Sequence, residues 1–187
     1  MAVIHCSTAE LKKRIAEIHA GDEVFLSGTV YTARDAAHKR IRALLEAGEP
    51  LPFPLEGAVI YYAGPTPERP GCPIGSCGPT TSSRMDVYTP QLLENGLCAM
   101  IGKGPRSPEV VQAIIQNKAA YFCAIGGAGA LLAKCIKKCE LVAYEDLQSE
   151  ALRRLYVEDM PLVVVIDSEG NNLYEEGRKA YLESVKK

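Results

Sequence analysis

The sequence predicts an α/β fold, and two observations carry that prediction. Segments with strand character alternate with segments of helical periodicity along most of the 187 residues. Several of the strand segments, such as Pro161-Leu-Val-Val-Val-Ile-Asp167, are continuous apolar runs without polar alternation. Strands of that kind suit a parallel sheet with both faces covered. No internal repeat, low-complexity segment or linker interrupts the pattern, so residues 1–187 are expected to form a single domain.

The elements follow in order. Ser7-x-x-Glu10 reads as a capping box, Leu11, Ile15 and Ile18 fall on one helical face, and the stretch from Met1 to His19 reads as helix. Gly21-Asp22 turns the chain into a strand over Glu23 to Tyr31, with Val24, Leu26, Gly28 and Val30 on one side. Arg34 to Ala47 is helical and stops at Gly48, and Gly57 to Ala63 is a short buried strand. Gly64 to Gly78 holds four prolines and four glycines and can only be an extended loop. Thr89-Pro90 and Ser107-Pro108 open two helices, with a strand over Leu97 to Ile101 between them. Ala119 to Ile125 is strand, Gly126 to Gly129 a tight turn, and Ala130 to Lys138 helix. Leu141 to Tyr144 is strand, a short helix follows Glu145-Asp146, and Pro161 to Asp167 is strand. The segment Glu175 to Val185 reads as a terminal helix.

Bulk composition narrows the function. A net charge of −2 provides neither the basic field of a nucleic-acid binder nor a polybasic membrane anchor. No apolar run approaches the roughly 20 residues that span a bilayer, and the first residues lack the apolar core of a secretory signal. The seven cysteines (Cys6, Cys72, Cys77, Cys98, Cys123, Cys135 and Cys139) are scattered and odd in number, so reduced thiols in a cytoplasmic protein are expected. Their spacings make no self-contained metal site, and no metal ligand is assigned.

The unusual polar residues gather where strands end, which is where ligands collect in α/β sheets. After the strand that ends near Tyr31 comes Arg34-Asp35-Ala36-Ala37-His38, with a cation at a helix start, where the dipole disfavours it. His38 lies one turn on, and a helix-surface or core histidine is the commoner explanation for it. Gly78-Pro79-Thr80-Thr81-Ser82-Ser83-Arg84-Met85-Asp86 sets four consecutive hydroxyls and an arginine in a loop. Hydroxyls, backbone amides and a guanidinium together suit a carboxylate or phosphate, although a capped loop with a surface arginine has the same composition. Lys103 stands between Gly102 and Gly104 right after a strand, and the glycine turn at 126–129 lacks the dinucleotide spacing. Arg34, Arg84 and Lys103 with the hydroxyls of Thr80 to Ser83 describe a site for a small dianion, with no electrophile to match.

Gly28-Thr29-x-x-Thr32-x-Arg34-Asp35-Ala-Ala-His38-Lys39-Arg40, Tyr62-x-Gly64-Pro65, Gly78-Pro-Thr-Thr-x-x-Arg84-Met85-Asp86 and Met100-Ile-Gly-Lys103 resemble the iron–sulfur hydro-lyases of the tartrate/fumarate type. Gly126-Gly127-Ala128 and Glu145-Asp146-Leu147 belong to the same resemblance, which matches the β subunit, or the C-terminal domain of single-chain class I fumarases, from about Gly21 to Tyr174. It implies reversible hydration of fumarate to L-malate, with a 4Fe–4S cluster carried by a partner α subunit acting as Lewis acid. It also implies substrate-facing and catalytic roles for Arg34, Thr80, Arg84 and Lys103, with Thr81 beside them in binding and Thr80 in proton transfer. Asp35, His38 and Asp86 are implied as supporting residues behind these. The implied fold is a swivelling three-layer β/β/α domain, with a parallel central sheet and a smaller antiparallel layer. Gln148-Ser149 departs from the family's pattern after Glu-Asp-Leu, and Cys72 and Cys77 lie in a variable loop. An L(+)-tartrate dehydratase β subunit and a non-catalytic anion-binding or interaction module of the same fold are the alternatives.

Overall fold

The computed structural model describes residues 1–185. Strands β1 (Val3–Ser7), β2 (Glu23–Thr32), β3 (Val59–Tyr61), β4 (Ala99–Gly102) and β5 (Ala120–Cys123) lie side by side in chain order, all parallel. The last strands, β6 (Ile136–Ala143) and β7 (Leu152–Ile166), run antiparallel to each other, and β7 is antiparallel to both β2 and β5. Because β7 bonds to both, β2-β3-β4-β5-β7 close into a five-stranded barrel-like ring. Its 15 residues are long enough to do so, pairing Arg153–Val163 with β2 and Val163–Ile166 with β5. A register shift between Leu26 and Gly28, where Gly28 has φ +119°, bends β2 along this partner.

Helices α1 (Thr8–Arg14), α2 (Asp35–Ala47), α3 (Thr89–Glu94), α4 (Pro108–Asn117), α5 (Gly129–Cys135) and α6 (Leu173–Ser184) complete the fold. The parallel strands feed two cores, one from each face. Val59, Tyr61, Ala99, Ile101, Ala120 and Phe122 pack with Leu11, Val24 and Val164. Ile60, Met100 and Tyr121 pack with Ile41, Leu92, Val110 and Ile114 of α2, α3 and α4. Burial on both faces is the physical reason these strands read as unbroken apolar runs.

The strand expected over Pro161 to Asp167 as part of a parallel sheet is the end of β7, which begins at Leu152 and runs antiparallel to every partner. Two further segments differ from the sequence reading. Residues 3–7, expected as helix, form β1, paired in register with β2 (Ile4 to Val24, Cys6 to Leu26). Helix begins only at Thr8, and Ser7 Oγ bonds the Glu10 carboxylate at 2.8 Å instead of a backbone amide. The helix expected through Lys138 stops at Cys135, and Ile136 starts β6. In both places an available strand edge outweighed local helical periodicity, which carries no information about neighbours distant in sequence. The expected terminal helix is present as α6. Among the described residues no helix is long and apolar enough to cross a membrane.

Candidate functional site

Parallel strands place all their carboxyl ends on one edge, so β2, β3, β4 and β5 deliver their following loops to the same side. Arg34 follows β2 as the residue just before α2, in extended backbone (φ −118°), and does not lie inside the first helical turn as expected. Asp35 is the first residue of α2, a favourable place for a carboxylate. That carboxylate joins the two predicted guanidiniums. Arg84 Nε donates to Asp35 Oδ1 at 2.9 Å, and Arg34 Nη2 lies 4.0 Å from Asp35 Oδ2. Positions 34 and 84, separated by almost fifty residues of chain, converge on a single anion. Arg34 Nε and Asp35 Oδ2 are both buried without a hydrogen-bond partner among the described residues. Arg84 remains half exposed, with a side chain open to an incoming group.

The hydroxyl loop is stitched across the ends of β3 and β4. Thr80 N donates to Tyr62 O at 2.7 Å, Thr81 forms an isolated parallel bridge with Lys103, and Ser82 N donates to Lys103 O at 2.9 Å. Lys103 N returns a bond to Ser82 Oγ at 3.1 Å. A side chain at Gly102 would collide with that hydroxyl, so the close approach of loop and strand requires glycine there. Gly126 packs against Lys103, with 3.9 Å from its would-be Cβ to Lys103 Cδ, so the glycine turn reaches the same edge. The structure thus brings Thr80, Thr81 and Lys103 together through their backbones, and Arg34 and Arg84 together through Asp35.

The supporting residues divide. His38 is fully buried, facing the rings of Tyr62 (5.3 Å) and Tyr88 (5.8 Å). Its Nδ1 lies 2.9 Å from Arg34 O, and a carbonyl only accepts, so Nδ1 carries the hydrogen and Nε2 presents a lone pair with no partner among the described residues. Desolvation by burial lowers its pKa to about 4, so the imidazole is neutral. Asp86 faces inward: its Oδ1 accepts from Arg106 Nε at 2.7 Å and its Oδ2 from Ser107 N at 2.7 Å.

Sequence reading missed Arg106. It is buried between the rings of Tyr62 and Tyr121, at 5.4 and 5.0 Å, and donates from Nη2 to Thr89 Oγ1 at 2.7 Å. Burial opposes its charge, yet Tyr62 and the Asp86 carboxylate outweigh burial and keep its pKa above the ordinary value. Thr89 is therefore a partner of this cation and not a helix cap. Tyr121 OH continues the network to Ser82 Oγ at 2.8 Å, beneath the hydroxyl loop. A cation just before the Ser107 cap breaks the same dipole rule that singled out Arg34, and that signal could have found it. Glu150 was also missed. It lies 3.3 Å from Arg34 Nη2, and nothing in its local sequence marks it.

Four parallel strands closed into a ring by one long antiparallel strand, with cations and hydroxyls at their carboxyl ends, define a mixed α/β domain with a polar strand-end edge. The family model described as Fumarase C-terminus matches residues 1–177, and the chain belongs to that family. It is 42% identical over 153 residues to "Fumarate hydratase 1, mitochondrial" of Leishmania major, covering 81% of this chain and 28% of that protein. Against "Fumarate hydratase class I, anaerobic" of Escherichia coli, identity is 37% over 169 residues, or 89% of this chain and 31% of that protein. The chain thus spans less than one third of the length of these relatives. "Putative L(+)-tartrate dehydratase subunit beta" of Methanocaldococcus jannaschii is matched nearly end to end, 37% identical over 93% of this chain and 92% of that protein.

Proposed function

We propose that the chain is the β subunit of a two-subunit, cytoplasmic iron–sulfur class I fumarate hydratase, which interconverts fumarate and L-malate together with an α subunit. The observation that carries this reading is the convergence of Arg34 and Arg84 on one carboxylate at the strand-end edge. Two guanidiniums flanking one internal anion, with the hydroxyl loop and Lys103 at the same strand-end edge, suit a dicarboxylate. An iron cluster takes several thiolates at one place, and among the described residues no three potential ligands gather in that way. Burial pushes Cys77 up to about 12 and Cys98 to about 11, and raises Cys6, Cys123, Cys135 and Cys139 as well. The cluster in this proposal belongs to the α subunit. Exposed apolar side chains beside the site, Val87 after the hydroxyl loop and Ile125 after β5, offer that subunit a place to pack. With the proposal comes the family's swivelling three-layer β/β/α arrangement as one domain, β6 and β7 supplying its antiparallel part.

On this reading Arg34 and Arg84 bind and orient the substrate carboxylates, and Thr80 and Thr81 donate hydrogen bonds to them. Removing the proton beside a carboxylate builds a doubly charged aci-carboxylate. Lys103 and the two arginines are preorganised against that charge, and each lost donor costs on the order of 100-fold in rate. Thr80 stands where the proton moves, and a neutral hydroxyl needs a carboxylate of the α subunit to accept from it. A tartrate dehydratase β subunit is the second reading, favoured by the end-to-end match to the Methanocaldococcus protein.

The test is anaerobic reconstitution with the cluster-bearing α subunit, followed by assays on malate, fumarate and L(+)-tartrate. Fumarase turnover that falls about 100-fold or more in Arg84→Ala is expected. Turnover on tartrate alone selects the second reading. Ligand binding without turnover on either diacid identifies a non-catalytic module and overturns both.

A further inference from the structure

A cation at the start of a 13-residue helix needs a reason to stay there, and the fold supplies one from more than a hundred residues away. Glu150 ends a 3-10 segment, Glu145–Glu150, that precedes β7. Its carboxylate is three-quarters buried and makes two contacts at the start of α2. Oε1 lies 3.3 Å from Arg34 Nη2, and Oε2 accepts from Ala36 N at 3.1 Å. Arg34, the cap residue, makes no capping bond with its own side chain. Glu150 therefore caps the helix from outside and neutralises the misplaced cation with one group.

The segment that delivers Glu150 is bent and clamped. Tyr144 has φ 62°, and Gln148 has φ 52° with ψ −109°, both disfavoured for residues with a side chain. Strain of this kind persists only where surrounding contacts impose it. Here a forked ion pair of Arg40 with Asp146 ties the segment to α2, and the Arg40 guanidinium lies 5.2 Å over the Tyr144 ring. Arg153 Nη2 donates to Gln148 O at 3.0 Å, and the buried Thr32 hydroxyl donates to Ala151 O at 3.3 Å. On the opposite side, a Cβ at Gly64 would come 2.8 Å from Arg34 Nη1 and 3.1 Å from Ser149 O. The guanidinium thus lies in a slot between the end of β3 and this segment.

We infer that Glu150 is a positioning residue: the strained segment 144–151 exists to hold the Arg34 guanidinium, through Glu150, at the orientation in which it takes a substrate carboxylate. This rests on the function proposed above for the kinetic part of its test, and a second measurement stands without it. In the assembled enzyme, Glu150→Gln keeps an oxygen for Ala36 N and loses the charge facing Arg34. KM for the diacid is expected to rise about tenfold, with a smaller change in kcat. In the Arg34→Ala background the same substitution should have almost no further effect, because the group it acts through is gone. An equal effect in both backgrounds, or a KM within twofold of the parent, overturns the inference. The parent's own turnover is the control on the proposed function. Independently of turnover, nitrogen-15 NMR of the Arg34 guanidinium in the full chain should show restricted Nη rotation that becomes free in Glu150→Gln. Unchanged rotation overturns the inference even where the parent has no activity.

Discussion

Removing the carboxylate of Asp86 tests whether the site rests on a buried charge pair. The Arg106 side chain has no exposure and that of Asp86 has 11%, with 2.7 Å between Nε and Oδ1. Asp86→Ala leaves the guanidinium without the one anion it pairs with among the described residues, between two tyrosine rings, and also strips the acceptor from Ser107 N at the start of α4. Breaking one side of a buried pair costs about 3–5 kcal/mol, because the remaining charge stays desolvated. For a chain of this size each kcal/mol lowers Tm by about 2–4 °C, so a fall of about 6–20 °C is expected. Glu46→Ala is the control, since its pair with Arg42 is about half exposed on both sides and such helix pairs contribute about 0.3–0.5 kcal/mol. Urea and thermal denaturation followed by circular dichroism read both variants. If Asp86→Ala proved no less stable than Glu46→Ala, the reasoning about burial would be wrong. Arg106→Met, which removes the charge and keeps apolar bulk, should cost less than Asp86→Ala, because water reaches Asp86 more easily than the cation.

Two further outcomes follow from the same geometry. His38 has a folded-state pKa near 4 against an ordinary value of 6.5, so between these values the unfolded chain binds more protons than the folded one. Stability is complete above pH 6.5 and declines by about 3 kcal/mol as pH falls to about 4; denaturation midpoints across that range should show a slope that flattens in His38→Asn. Gly64→Ala places a methyl group 2.8 Å from Arg34 Nη1 and 3.1 Å from a backbone carbonyl, so the guanidinium must move. In the reconstituted enzyme its KM should rise while Tm falls by only a few degrees, and an unchanged KM would show that Arg34 is not confined there.

Local chemistry in the sequence determined most of the elements and the strand ends at which Arg34, the hydroxyl loop and Lys103 stand. The unbroken apolar runs at 59–63, 97–101 and 161–167 required strands buried on both faces. Parallel strands then obliged Arg34, the hydroxyl loop and Lys103 to share an edge, whatever else the chain did. Tertiary contacts decided the rest. Residues 3–7 and 136–138 are strands because an open strand edge met them, and no periodicity within those short stretches encodes that meeting. The same holds for β7, whose two halves bond different strands and close the ring. Asp35 shows the divide most plainly: its favourable place at the start of a helix was legible locally, while its role in joining Arg34 to Arg84 was not. Arg106 and Glu150 act through partners about twenty and more than a hundred residues away. A charge pair's energy depends on distance and burial in space, and neither quantity is defined until the chain has folded.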